Sequence, residues 1–157
     1  SKNIGRKIYS NSKLLFFTLL RSGSLIVSFK NFWNEIIRQY EPDLIIMRHV
    51  LEHLVEPKEF ISSLSWAANS IKKETILYVE VPCIDRVLET DRLSDFFYEH
   101  PSHFTSRSFN RLLSPHTSHA KVSFGYGREV IYSVLSLGPS GEASEQAVWT
   151  KKFFKRT

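Results

Sequence analysis

The stretch IIMRHVLEHL, residues 45–54, places two histidines four apart with a glutamate before the second: His49, Glu52 and His53. On a helix both imidazoles would share a face with a carboxylate beside them, the H-x-x-E-H arrangement of zinc-dependent hydrolases. Such a helix must run on past its second histidine, and the ion needs a third ligand and oriented outer partners. Pro57 follows only four residues after His53, and the residues before His49 read as a strand. The spacing therefore argues for no metal on this triplet, and zinc hydrolysis stands as the least favoured alternative. A second concentration of titratable groups lies in DFFYEHPSHF, where Tyr98, Glu99, His100 and His103 stand among aromatics.

Two apolar runs frame the first cluster. PDLIIMR and TILYVEVP are continuous hydrophobic strands of the type buried on both faces in parallel sheets. Between them, EPKEFISSLSWAANSIKK reads as a helix started by Pro57. It carries Phe60, Ile61, Leu64, Ala67, Ala68 and Ile71 on one face and closes on lysines. Strand, helix and strand make a right-handed βαβ unit. Both strands then end at one edge, so Arg48, His49, Pro82 and Cys83 gather where open α/β sheets bind ligands.

Upstream, SLIVSF is a short β-prone run. NFWNEIIRQY has Phe32, Trp33, Ile36, Ile37 and Tyr40 at helical spacing behind an Asn31 cap. Downstream, residues 83–105 lack a clean period and read as a long loop with one helical turn. SRSFNRLL is a short helix behind a serine or threonine cap. HAKVSFGYGREVIYSVLSLG forms a hairpin about Gly125-Tyr126-Gly127, and GPSGEASEQ is a flexible exit before a basic tail.

With 157 residues, 42% of them apolar, the chain can bury one core, which sets the expectation of a single domain. One cysteine, Cys83, excludes an internal disulfide and any multi-cysteine zinc motif, in keeping with a reducing, cytoplasmic setting. No apolar run approaches the ~20 residues of a membrane span, and the basic start has no signal-peptide pattern. The net charge of +5 is terminal: residues 1–22 and 151–157 hold nine bases and no acid, while 23–150 hold 12 bases against 16 acids. An acidic body argues against nucleic acid or a membrane as partner.

Three blocks, PDLIIMRHVLEHLVEPKEFISSL, ILYVEVPCID and DFFYEHPSHFTSRSFNRLL, resemble in order the second half of class I S-adenosylmethionine-dependent methyltransferases. The likeness is to the branch that includes sugar C-methyltransferases, and it covers roughly Leu25 to Leu137. It implies a seven-stranded, doubly wound Rossmann-like sheet in which DLIIMR is the fourth strand and ILYVEVP the fifth. The antiparallel hairpin supplies the last two. The resemblance also implies that Arg48, His49 and Val50 line the methionine and sulfonium end of S-adenosylmethionine, with the aromatic loop facing the methyl acceptor.

The loop offers Glu99, His100 and His103 as bases; for an acceptor carbon beside a carbonyl, His100 is expected to remove the proton, with Glu99 orienting the imidazole and Tyr98 as a hydrogen-bond partner. Some relatives place a tyrosine where this chain has Phe97. A larger departure is the family's glycine-rich turn. The six glycines stand at 5, 23, 125, 127, 138 and 141, and the first acidic residue is Glu35, so the turn and the ribose-binding acid are both missing.

The expectation is thus an incomplete α/β methyltransferase sheet, without its first strands, from a truncated or fragmentary product. Its parts would be a basic segment at 1–23, a partial domain at 24–138 and a basic tail at 139–157. Its function would be methyl transfer to a small, sugar-derived acceptor, with cofactor binding by this chain in question. The alternative is a noncatalytic remnant, an interaction module that self-associates through an exposed sheet edge.

Overall fold

The computed structural model describes residues 14–17, 29–71, 73–92, 96, 100–117 and 120–137. Strand β1 (Leu14–Phe17) precedes helix α1 (Phe29–Tyr40), strand β2 (Leu44–Arg48) and a 3₁₀ turn, Leu51–His53. Helix α2 (Pro57–Asn69), strand β3 (Thr75–Pro82) and helix α3 (Ile84–Glu89) follow. Helix α4 (Ser106–Leu113) then leads to strands β4 (Val122–Gly125) and β5 (Val130–Leu137). The sheet order is β1-β2-β3-β5-β4, parallel across the first three strands and antiparallel from β3 onward.

Right-handed crossovers that step in one direction put α1 and α2 on the same face of the sheet. The side chains agree. Ile45 and Met47 of β2 and Leu77, Val79 and Val81 of β3 are fully buried beneath them, as are Ile37, Ile61, Leu64, Ala67 and Ala68 of the helices. Trp33 meets Phe60 edge to face at 5.2 Å, joining the two helices. All six apolar positions expected on the inner face of α2 are buried, and Pro57 stands at its first turn, where a missing N–H costs nothing.

Several expectations are corrected. β2 alternates between buried and half-buried residues, because Leu44, Ile46 and Arg48 face away from α1 and α2. Asn31 lies inside α1, which begins at Phe29 and so takes in the end of SLIVSF; residues 24–28 lie outside the described residues. α2 ends at Asn69, ahead of the lysines. Lys73 instead pairs with Asp43 at 2.5 Å and donates to the Glu41 carbonyl, closing the return into β3. A true helix, α3, stands where a loop with one turn was expected.

β1 arises in the segment of unassigned fold and pairs with β2 from Leu14↔Leu44 to Phe17↔Met47. β2 is therefore covered on both sides, and the edges of the described sheet are β1 and β4. The hairpin turns through Tyr126, Gly127 and Arg128, all at positive φ, and glycine at the middle one adopts φ 63° without a Cβ penalty.

Ile61→Ala, at a fully buried position, is expected to lower stability by about 2–5 kcal/mol, while Leu88→Ala on the exposed side of α3 changes it by less than about 0.5 kcal/mol. Urea unfolding of the two variants checks this.

Candidate functional site

β2 and β3 are in register so that Arg48 lies beside Glu80 at their carboxyl ends. Parallel neighbours in register point to the same face, and Arg48 Nε donates to Glu80 Oε1 at 2.9 Å. Tyr78, two residues earlier on that face, donates from its hydroxyl to Glu80 Oε2 at 2.5 Å and stacks on Tyr132 of β5. Glu80 is only 2% exposed, so these donors replace the water it has lost. Burial and the hydrogen bond to Glu80 push the Tyr78 phenol well above its usual range, and it remains a donor. The same glutamate holds Arg48 above the ordinary arginine value.

The chain leaves β2 through His49, whose φ of 52° is left-handed, a conformation costing about 1–2 kcal/mol for an L-residue. The turn is held by the His49 N–H, which donates to the Glu80 carbonyl at 3.1 Å. It sets the His49 ring between two carboxylates: Nδ1 is 3.1 Å from Glu52 Oε1, and Nε2 is 3.5 Å from Glu80 Oε1. The hydrogen bond to Glu52 and the pull of both acids raise the His49 pKa, against burial and the nearby Arg48.

Past His49 the backbone winds into the 3₁₀ turn, which buries Val50, Leu51 and Glu52 and leaves His53 exposed. The loop ahead of α4 returns to this turn. Ser102 donates from its N–H to the Glu52 carbonyl at 3.2 Å and from Oγ to the Leu54 carbonyl at 2.7 Å. Phe104 bridges to Cys83, and its carbonyl accepts from the Ile84 N–H. Asp85 accepts from the Ser106 N–H, and Thr105 caps α4 in a reciprocal box with Ser108.

These bonds bring His100 to His53, ring centres 4.7 Å apart and nearly perpendicular. Donor atoms of Glu52, His53 and His100 lie within 4.8 Å of one another. Beside them opens a cavity of about 370 Å³, walled by Pro82, Ile84, Val87 and Phe104, with Glu52, His100, Ser102 and His103 as its polar groups. Burial, then the neighbouring His53, lowers the His100 pKa, which leaves its imidazole neutral at pH 7.

Of the residues expected at a site, Arg48 and His49 stand together at the strand ends, while the Val50 side chain is in the core. His100 lies at the cavity; Tyr98 and Glu99 lie outside the described residues. Cys83 is fully buried, as a small core filler would be. Glu80, which the sequence offers as a strand-end glutamate that could face the site or the solvent, is buried at its centre, held by Arg48 and Tyr78.

A parallel α/β core with its polar groups gathered at the carboxyl ends of the strands is the arrangement in which open α/β sheets bind ligands. A family model described as a methyltransferase domain matches residues 8–115, and the chain belongs to that family. Members of this family generally use S-adenosylmethionine. The match begins ahead of β1. No curated protein matches the chain. Among solved structures it is similar to the small RNA methyltransferase HEN1, at 22% identity and a TM-score of 0.43 over 65% of this chain. The chain spans 15% of that protein's length. Among the described residues no helix is long and apolar enough to cross a membrane.

Because its folded pKa is raised, His49 contributes charge-dependent stability that is complete below its unfolded value near 6.5 and is lost as pH climbs through the folded value. The Tm gap between the parent chain and His49→Gln should therefore narrow from pH 6 to pH 9. Proton NMR should place the His49 midpoint above 6.5; a midpoint at or below it would exclude the ion pair.

Proposed function

We propose that the chain takes part in methyl transfer from S-adenosylmethionine to a small acceptor held in the cavity beside Glu52, His100 and His103. The observation that carries this reading is the convergence of two different sites on one sheet edge. A basic pair, Arg48 and His49, stays 40% and 46% exposed at the end of β2, and one turn further on an apolar cavity presents imidazoles.

Bound S-adenosylmethionine supplies an electrophilic methyl group on a sulfonium. Arg48, a cation, and His49, whose pKa the neighbouring acids raise, suit its methionine carboxylate, both being anchored by Glu80 rather than free to swing. Their rigidity matters because methyl transfer depends chiefly on alignment, which can be worth ~7–11 kcal/mol of barrier. Pro82, Ile84, Val87 and Phe104 exclude water from the acceptor. Its proton goes to an imidazole of the cavity, His100 or His103 beside it. Either would contribute ~10²–10⁴-fold as a positioned base. A sugar-derived acceptor fits the resemblance to the sugar C-methyltransferase branch, and hydroxyl groups would find partners in Ser102 and Glu52.

One sequence feature favours a second reading. No glycine-rich acidic turn precedes β2, so a noncatalytic domain that pairs with a partner is the competing account. Calorimetric titration of the full chain with S-adenosylmethionine separates them. The methyl-transfer reading expects saturable heat below about 1 mM and at least about tenfold weaker binding by Arg48→Ala. No heat at that concentration would sink it and leave the noncatalytic account.

A further inference from the structure

We propose that Glu52, His53 and His100 form a binding site for one divalent transition-metal ion at the mouth of the cavity. Three observations carry it. The donor atoms of these side chains already lie within 4.8 Å of one another. Metal–ligand bonds of ~2.0–2.2 Å require them to close by only about an ångström, and exposed His53 is free of the core that would resist the movement.

The second observation is Glu52 itself. It is 2% exposed; one oxygen is engaged by His49, and the other, Oε2, is buried without a hydrogen-bond partner. A carboxylate oxygen removed from water with nothing to replace it is costly, and a cation is the partner that satisfies it most fully. Third, the frame is built. The two hydrogen bonds from Ser102 to the carbonyls of Glu52 and Leu54 tie the loop carrying His100 to the turn carrying Glu52 and His53.

Two imidazole nitrogens and one carboxylate oxygen select a borderline ion such as zinc, cobalt or nickel over magnesium or calcium, which prefer oxygen donors. Glu52 and His100 also line the cavity, so a three-ligand ion there keeps at least one position open toward it. This ligand set differs from the H-x-x-E-H reading: His49 is not in it. Its Nδ1 instead holds the second oxygen of Glu52, the outer-sphere support a metal-bound carboxylate needs.

Resting on the methyl-transfer reading, the inference extends to the acceptor. An acceptor oxygen on the open position would be made more acidic, and His100, as a ligand, leaves proton acceptance to His103.

The test is calorimetric titration of the metal-free full chain with zinc, and with cobalt followed by visible absorption. One ion per chain is expected, with ligand-field bands of nitrogen and oxygen coordination and no thiolate charge transfer. His53→Ala and His100→Ala should each weaken zinc binding by more than the ~10–100-fold that loss of an outer-sphere partner costs. His116→Ala should leave it unchanged. Absence of binding, or binding indifferent to both His53→Ala and His100→Ala, overturns the proposal; exposed His53 keeps the first variant foldable. Because neither S-adenosylmethionine nor acceptor is present, this failure and failure of the cofactor titration are read separately.

Discussion

Glu80 is the constraint on which the site depends. A carboxylate almost sealed from water has to be surrounded by donors, and each donor here comes from a different piece of the fold. Arg48 requires the β2–β3 register, Tyr78 requires the alternation of β3, and the His49 ring, whose Nε2 lies 3.5 Å from the carboxylate, requires the left-handed exit from β2. Shift the register by one residue and Arg48 would point to the helical face, leaving the charge unmatched among Val79 and Val81. The strained turn at His49 is then explained by what it satisfies: it supplies a donor to the Glu80 carbonyl and aims the ring at Glu80 and Glu52.

An apolar residue at position 80 would build a more stable edge, since desolvating an ion pair often costs more than the pairing returns. The sheet keeps its charges where the other half of β3 is Leu77, Val79 and Val81, so the polar end is set apart from the packing function of the strand. The same division runs through the turn after β2. Val50 and Leu51 complete the core beneath α2, while Glu52 and His53, the next two residues, turn toward the cavity loop. Core and site are successive pairs of residues in one short segment, which ties the geometry of the site to the stability of the fold.

Much of the frame was legible because its signals are local. The inner face of α2 follows from a 3.6-residue period, β3 from an apolar run stopped by Pro82, and α4 from the Thr105 cap. α3 was not, because Val87 is its only buried residue and one apolar position has no period. β1 is four apolar residues in a run that reads equally as helix or strand. At the site, His49 could be placed from the end of the apolar run, whereas the burial of Glu80 depends on cross-strand register. The meeting of His53 with His100 depends on how Ser102 closes a loop 48 residues from Leu54. Neither is written in a local pattern.

The two halves of the site share one imidazole. His49 touches Glu80 through Nε2 and Glu52 through Nδ1, so the charge that anchors the strand-end cations also fixes the carboxylate facing the cavity. If His49 loses its proton, one of its two carboxylate contacts must lose a donor, because a neutral imidazole has only one N–H. Glu80 keeps Arg48 and Tyr78, whereas Glu52 Oε2 has no hydrogen bond to fall back on. The tautomer that keeps the proton on Nδ1 is therefore the less costly one, and Glu52 stays oriented toward the cavity. A cation on Oε2 would draw density from the carboxylate and weaken Oε1 as an acceptor, so the effect would reach His49 without movement of the backbone. The strand-end edge and the cavity are in this sense one electrostatic unit, built around a residue that the sequence presents as the first histidine of a metal motif and the fold uses as a bridge.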